Sequence, residues 1–124
     1  MGYMTELKGR CVNKIARTSM RIKDSMPQTT YNGIYDDYSD KEHIRWWTNS
    51  FWAGMMWQMY DITSEERYMN YAVSIEKKLE KVLYEYKTLD HDLGFLWLLT
   101  GAEHYRHTND ERAKNDMLLA ASVL

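Results

Sequence analysis

The chain has 124 residues, enough for one domain with a modest core, and a formal net charge of −2. Both signs of charge are scattered, so no basic stripe points to nucleic acid. No apolar run approaches the ~18 residues of a membrane-spanning helix, and the first residues contain no apolar signal segment. A single cysteine, Cys11, cannot form an intramolecular disulfide, which is typical of a reducing compartment. We therefore predict a soluble, cytoplasmic protein that binds neither nucleic acid nor membrane.

The first part of the sequence combines a predicted helix with a long irregular segment. Residues 5–24 have apolar side chains at the spacing of an amphipathic helix. Pro27 ends this helix, because the residue before a proline is excluded from helical geometry. Residues 28–50 have no sustained period, and Asn32-Gly33 is a turn pattern. A loop of this length is usually functional or disordered, and its tyrosines favour an ordered one. Cys11 is expected to be a buried structural thiol.

Two later segments, Phe51–Tyr60 and Gly94–Tyr105, are apolar around their whole circumference and predict helices buried on every side. Each is followed by an amphipathic helix. Thr63 and Glu66 have the spacing of a capping box before the first of these, and Thr108-Asn109-Asp110 is a turn before the second. The apolar stripes of the amphipathic helices are Tyr68, Ala72, Ile75, Leu79, Val82 and Tyr86, then Ala113, Met117, Ala120 and Leu124. The alternation predicts an all-α fold with two layers, the apolar helices inside.

The two helix pairs are related by an internal repeat of about 40 to 45 residues, the length of one helical hairpin. The segment that starts at Trp52 matches the one that starts at Asp92, and Thr63–Arg67 matches Thr108–Arg112. In this alignment Asp92 takes the place of Trp52 at the start of an inner helix. Equivalent ends of stacked hairpins converge on one rim, so an aromatic ring and a carboxylate are expected to line one cavity. An aromatic ring beside a carboxylate is a combination that suits the binding of a sugar.

The stretch Leu89–Phe95 places Asp90, His91 and Asp92 directly before an apolar helix. The unpaired N–H groups and the dipole at a helix N-terminus favour a negative charge there. Asp92 is therefore either a reacting carboxylate or an ordinary helix N-cap. A metal site at these three residues is disfavoured.

The remaining candidates favour structural roles. Trp52, Trp57 and Trp97 lie on apolar helices and are expected in the core. His104 and His107 have a spacing that could share a metal, but no carboxylate or cysteine partner is evident, so surface histidines are expected. We predict no metal site and no cofactor.

Several segments of the sequence resemble the unsaturated glucuronyl hydrolases of glycoside hydrolase family 88. The matching segments cover most of the chain: Trp47–Gly54, Tyr60–Thr63, Leu89–Phe95, Tyr105–Thr108 and the helix around Ala120-Ala121. The Trp-Thr-Asn-x-Phe-Trp and His-Asp-x-Gly-Phe segments at this separation are fairly specific. The sequence departs from the pattern at Ser50, where glycine is usual.

The resemblance implies part of an (α/α)6 barrel and an intracellular enzyme. Its substrates would be oligosaccharides released by polysaccharide lyases, with a 4,5-unsaturated uronic acid at the non-reducing end. A carboxylic acid protonates C4 of the vinyl ether, water adds at C5, and the hemiketal collapses to release the sugar. By the same resemblance Asp92 is the first of two essential aspartates, Trp47 contacts the unsaturated ring, and His91 flanks Asp92 in the substrate site.

The family's second aspartate and its uronate-binding residues have no counterpart within these 124 residues. At about 45 residues per hairpin, the chain supplies roughly two and a half of six hairpins. We therefore expect residues 1–124 to be a single domain forming the N-terminal part of the barrel, inactive alone and prone to self-associate through inner helices that lack neighbours. The alternative is a non-catalytic helical-repeat module that binds a peptide or protein. A repeat module of this kind should end in a polar terminal cap. Leu118–Leu124 is apolar, which favours a truncated enzyme.

Overall fold

The computed structural model describes residues 2–85 and 89–124. Over these ranges the chain forms α1 (Tyr3–Ile22), β1 (Thr30–Tyr31), β2 (Ile34–Tyr35), α2 (Phe51–Thr63), α3 (Glu66–Tyr84), α4 (Leu93–Leu98), α5 (Gly101–Thr108) and α6 (Glu111–Ser122). The predicted helical fold is confirmed. Tyr86, predicted on the stripe of α3, lies outside the described residues. Within the described ranges, the helices are all too short or too polar to cross a membrane.

Helix α1 packs through one edge of its surface. The side chains of that edge follow the helical period: Val12, Ile15, Ala16, Ser19 and Ile22. Cys11 lies one residue away, about 100° around the helix, and is exposed. The prediction of a buried thiol is therefore wrong, because the packed edge of α1 is narrower than the sequence pattern suggested.

The segment between α1 and α2 is ordered, as predicted. Asn32 and Gly33 have positive φ angles of 50° and 75°, as a two-residue hairpin turn requires, and they join β1 to β2. The loop that follows is held by Asn49, which is buried. Its side-chain amide donates to the carbonyl oxygens of His43 (2.9 Å) and Ile44 (3.0 Å).

Helices α2 and α3 form a hairpin, but the predicted capping box between them is wrong. Thr63 is the last residue of α2, and its hydroxyl donates to the carbonyl oxygen of Met59 at 2.8 Å. Ser64 then takes a left-handed φ of 58°, and its N–H donates to the carbonyl oxygen of Tyr60. Glu65 precedes α3 and makes no side-chain cap bond. The Thr63 hydroxyl also accepts from the backbone N–H of Glu65 at 3.2 Å, so it links the end of α2 to the residue before α3 without capping the first turn of α3.

The second predicted inner helix is broken into α4 and α5. Thr100 leaves helical geometry with φ −115° and ψ −88°, and its hydroxyl donates to the carbonyl oxygen of Leu96 at 2.6 Å. The break brings Gly101 against Trp97 and the backbone of Ala113. A continuous helix over Gly94–Tyr105 is therefore a wrong prediction, because the backbone turns where only glycine fits beside the indole.

Helices α2 and α4–α5 lie side by side and run in the same direction, as the two-layer prediction requires. Their contacts advance together along both elements, from Ser50 with Phe95, through Gly54 with Leu99, to Asp61 with Arg106. Burial on every side is not observed in the described ranges. Large apolar side chains on these helices remain exposed: Phe51, Met55, Ile62, Phe95 and Leu98.

The repeat is confirmed at the ends of the inner helices but shifted at their starts. Ser64 and Asn109 both take left-handed φ angles and both donate to a tyrosine carbonyl oxygen 2.8 Å away, on Tyr60 and Tyr105. At the other end, Asp92 occupies the N-cap position of α4, as Ser50 does for α2. Asp92 therefore does not take the place of Trp52, because Asp92 precedes the first residue of α4 whereas Trp52 lies within the first turn of α2.

The final helix, α6, begins at a true side-chain cap. Asp110 Oδ1 accepts from the backbone N–H of Ala113 at 2.9 Å, and this hydrogen bond lowers the pKa of the Asp110 carboxyl. Ala113, Asp116 and Ala120 form its buried face, where Asp116 accepts from the Tyr84 hydroxyl at 2.7 Å. Leu124, predicted on this face, lies beyond the helix and is exposed.

A glycine pair tests the break between α4 and α5. A Cβ at position 101 would lie 2.9 Å from Trp97 Cδ1 and 3.2 Å from the carbonyl oxygen of Ala113. We expect Gly101→Ala to destabilise the fold by about 1–3 kcal/mol, as overpacking does. Gly9→Ala, in open space on α1, should stabilise it by up to about 1 kcal/mol. Urea unfolding of both variants checks this; equal effects would exclude close packing at Gly101.

Candidate functional site

Trp47 lies in an aromatic cluster at the N-terminal end of α2. Its ring is edge-on to Phe51, with centroids 5.5 Å apart and planes at 90°. It also contacts Phe95 of α4, at 5.4 Å and 61°. All three aromatic side chains remain about half exposed. The two segments that carry the sequence resemblance, 47–54 and 89–95, therefore meet directly through their aromatic side chains.

A buried hydrogen bond holds these segments together. Ser50 is fully buried, and its hydroxyl donates to the carbonyl oxygen of Phe95 at 2.7 Å. Its φ of −87° is accessible to any residue, so the backbone does not require glycine there. The departure from the family pattern thus adds a link between α2 and α4.

Asp92 occupies the N-cap position of α4, but its side chain makes no capping hydrogen bond. The first turn is closed by the backbone instead: the carbonyl oxygen of Asp92 accepts from the N–H of Phe95 at 3.0 Å. The N–H of Asp92 donates to Asp90 Oδ1 at 3.0 Å. Asp92 therefore has the position of an N-cap but does not make the hydrogen bond of one. Its carboxylate remains available to another partner.

The imidazole of His91 lies beside that carboxylate. Its Nε2 lies 3.3 Å from Asp92 Oδ1, and the histidine side chain is 89% exposed while that of Asp92 is 29% exposed. Such an exposed contact restrains Asp92 weakly. The structure therefore brings Trp47 to Phe95 and His91 to Asp92 at the same end of the inner helices.

Trp52, which the sequence alignment placed on the same rim, is instead part of the core. It is 7% exposed, and its indole N–H donates to the carbonyl oxygen of Lys23 at 2.8 Å. Trp57 and Trp97 are also buried, so the structural expectation for all three tryptophans is confirmed. Trp47, and not Trp52, is therefore the tryptophan that contacts Phe95 of α4.

The two histidines predicted on the surface form an internal cluster around Trp57. The His107 ring stacks on the indole with centroids 4.6 Å apart, and the His104 ring lies 5.7 Å from it. Nδ1 of His104 donates to the buried Glu76 at 2.8 Å, and this hydrogen bond raises the pKa of His104. The surface prediction is wrong, because Glu76 on α3 supplies the partner that was not evident in the sequence.

Asp61 closes the same cluster from the C-terminal end of α2. Its carboxylate lies 2.7 Å from His107 Nε2 and 3.1 Å from Arg106, and these contacts lower the pKa of Asp61. The partners are 45 to 46 residues apart in the sequence, which matches the length of the repeat. The repeat is therefore the sequence signal from which this pairing could have been predicted. Eleven helical residues place Asp61 about 16 Å from Ser50, so the cluster joins the hairpins far from Trp47.

In residues 2–85 and 89–124, no group of three or more His, Cys, Asp or Glu side chains is arranged to hold a metal ion. The polar groups available at the Trp47 end are the Asp92 carboxylate and the His91 imidazole. With the aromatic rings they form a surface that can stack on a sugar ring and hydrogen-bond its hydroxyls.

Comparison with known proteins finds relatives of one enzyme class. The chain is 37% identical over 120 residues to the unsaturated glucuronyl hydrolase of Bacillus sp. (strain GL1), covering 94% of this chain and 30% of the relative. It is 27% identical over 122 residues to the unsaturated chondroitin disaccharide hydrolase of Streptococcus pneumoniae (strain ATCC BAA-255 / R6), with the same shares. No family model matches.

A solved structure of the same enzyme class has a similar fold. It is a complex of a glucuronyl hydrolase variant with dGlcA-Glc-Rha-Glc, with a TM-score of 0.74 and 29% identity over 94% of this chain and 30% of that one. The resemblance found in the sequence is confirmed: the chain is homologous to the N-terminal part of unsaturated glucuronyl hydrolases, which have an α/α barrel fold. It spans about 30% of the length of these relatives.

The His104–Glu76 pair predicts a pH-dependent stability. The pKa of His104 is raised in the fold, so the contribution of the pair is complete below about pH 6.5 and is lost as the pH rises through the raised value. Allowing for partial exposure, we expect it to reach about 1 kcal/mol. Urea unfolding at roughly pH 6 and pH 9 should show the loss. Glu76→Gln and His104→Gln should each abolish it, and a wild-type slope in either would contradict this assignment.

Proposed function

We propose that this chain, a homologue of the N-terminal part of unsaturated glucuronyl hydrolases, forms part of an enzyme that removes a 4,5-unsaturated uronic acid from the non-reducing end of lyase-derived oligosaccharides. The observation that carries this proposal is the meeting of the Trp47 and Asp92 segments at one end of α2 and α4. The relatives are hydrolases of unsaturated glucuronyl and chondroitin compounds, which supports the same substrate class. The chain would act as one domain, residues 1–124, within an (α/α)6 barrel.

Asp92 is proposed as a catalytic carboxylate and as a ligand of the sugar. Its side chain makes no helix-capping bond and is partly exposed, so both oxygens can reach a substrate. In the hydration reaction a carboxylic acid delivers a proton to C4 of the vinyl ether while water adds at C5; the hemiketal then opens and releases the remaining sugar. A carboxylate in this site can hold the ring hydroxyls or share proton transfer with a second carboxyl group.

Trp47 and His91 are proposed to bind the same sugar. The indole is held edge-on by Phe51 and Phe95, which limits its rotation and keeps one face available for stacking. His91 lies beside Asp92 and is largely exposed, so it can donate to a sugar hydroxyl. The proposed roles need no cofactor and no metal.

We further propose the cytoplasm as the compartment, since the one cysteine is exposed and unpaired and such a thiol is typical of reducing surroundings. The alternative function, a non-catalytic helical-repeat module, finds less support, because the relatives are enzymes.

The sharpest test of the function concerns the charge of Asp92. In a complete enzyme that contains this segment, Asp92→Asn should lower kcat by roughly 100-fold or more, the scale of general acid–base contributions. Its melting temperature should stay close to that of the parent, since Asn and Asp are equivalent at helix caps. The measurement is the loss of ultraviolet absorbance of the C4=C5 bond. Asp90→Asn is the matched control and should retain activity; an Asp92→Asn variant within a fewfold of the parent would remove the proposed role.

Self-association is proposed for the 124-residue chain through the exposed apolar side chains of the inner helices. Leu98 is 63% exposed and Phe95 48% exposed on α4, and exposed apolar patches of this kind drive association. Sedimentation at micromolar concentration should show oligomers, and Leu98→Lys should shift the distribution towards monomer. A parent chain that sediments as a monomer would contradict the proposal.

A further inference from the structure

A basic pocket lies on the outer side of the molecule, between the loop before α2 and the C-terminal part of α3. Its volume is about 250 Å³, and its described lining residues are Ser39, Lys41, Ile44, Arg45, Lys78, Lys81, Val82 and Glu85. Four of these side chains are cationic and one is a carboxylate. The pocket therefore has a clear excess of positive charge, although the chain as a whole has a net charge of −2.

Two of the four cations are held in place by carboxylates. Arg45 lies 2.5 Å from Glu85. Lys78 Nζ donates to the carbonyl oxygen of Asp24 at 2.7 Å and lies 2.9 Å from its carboxylate, which also accepts from Ser74. These contacts fix the walls of the pocket and neutralise part of its charge.

Lys41 and Lys81 are different. In the part of the chain that the structure describes, neither has a hydrogen-bond or ion-pair partner. Both residues line the pocket, Lys41 from the loop before α2 and Lys81 from α3. A small anion in the pocket would give both lysines a partner, which is the usual way in which such groups recognise carboxylates and sulfates.

The loop that forms one wall of the pocket is held in place by a residue close to the candidate functional site. Buried Asn49 donates to the carbonyl oxygens of His43 and Ile44, and so holds the segment that carries Lys41 and Arg45. Asn49 is two residues from Trp47. The pocket and the aromatic cluster are therefore attached to the same rigid segment, on the same end of the α2–α3 hairpin.

The composition of the pocket indicates the class of ligand. Its volume is below the range of pockets for drug-sized ligands, so the pocket itself has room for about one sugar residue. Ile44 and Val82 add an apolar wall and Ser39 a hydroxyl, which match the C–H face and the hydroxyls of a sugar. A bare inorganic ion would leave the apolar wall unused.

We propose that this pocket is a second carbohydrate site, which binds one acidic sugar residue with Lys41 and Lys81 around its carboxylate or sulfate group. The choice of a sugar rests on the proposed function, whereas the anion recognition rests on the pocket alone. Such a site would hold an acidic glycan on the outside of the enzyme, near the rim where the unsaturated residue is removed.

Amine labelling tests the proposal residue by residue. The chain is treated briefly with acetic anhydride, and acetylation of each lysine is followed by mass spectrometry at constant ionic strength, with glucuronate, glucose or sodium sulfate present. Glucuronate should slow labelling of Lys41 and Lys81 by about twofold when its concentration equals Kd, and more above it. Lys8 and Lys14 on α1 are internal controls and should not change. Glucose should protect neither pair.

A variant pair gives the affinity. Lys41→Gln with Lys81→Gln should weaken glucuronate binding by calorimetry about fivefold, the sum of two exposed charge contacts, whereas Lys8→Gln with Lys14→Gln removes the same charge elsewhere and should change it little. The proposal would be overturned if glucuronate gave no protection, if glucose protected equally, or if sulfate protected more strongly than glucuronate. It would also be overturned if both variant pairs weakened binding equally. Asp92→Asn should keep the protection, so a failure of the proposed hydrolysis remains distinct from a failure of this site.

Discussion

Helix α2 lies beside α4 and α5 and contacts them near both ends, and this contact brings the equivalent ends of the inner helices together. Gly54 allows a close approach there, since a Cβ at that position would lie 3.3 Å from the side chain of Leu99, closer than an ordinary contact. The Ser50 hydroxyl fixes one end of the contact on Phe95, and Asp61 fixes the other on Arg106 and His107. Because the elements run in the same direction, their equivalent ends carry neighbouring side chains.

The two ends of this contact have different chemistry. At the N-terminal end, aromatic rings are left half exposed beside a carboxylate without a capping bond, which is the composition of a sugar-binding surface. At the C-terminal end, stacked histidines and charged side chains satisfy one another, as buried or half-buried polar groups must. Titratable residues occur at both ends. Those at the C-terminal end are paired with one another and form a structural cluster, whereas Asp92 at the N-terminal end makes no capping bond and belongs to the candidate site.

The segment between α1 and α2 has more than a connecting role. Asn49 is buried and ties the backbone of this segment to the start of α2, so Trp47 on one side and Arg45 on the other have defined positions. A loop held in this way can present two surfaces at once, an aromatic one towards α4 and a basic one towards α3. Rigid loops of this kind are where binding residues are commonly found.

The sequence by itself determined the helical class, the hairpin repeat, the order of apolar and amphipathic helices, the Asn32-Gly33 turn and the resemblance carried by the Trp47 and Asp92 segments. These follow from periodicity and local turn chemistry, which act over a few residues. The roles of Asp92, Trp47 and His91 remain proposals on that basis. Only the tertiary structure decided where the inner helix breaks, because the steric limit at Gly101 comes from Trp97 and Ala113. It also decided that His104 and His107 are internal and Cys11 exposed, because burial depends on partners such as Glu76 that are distant along the chain.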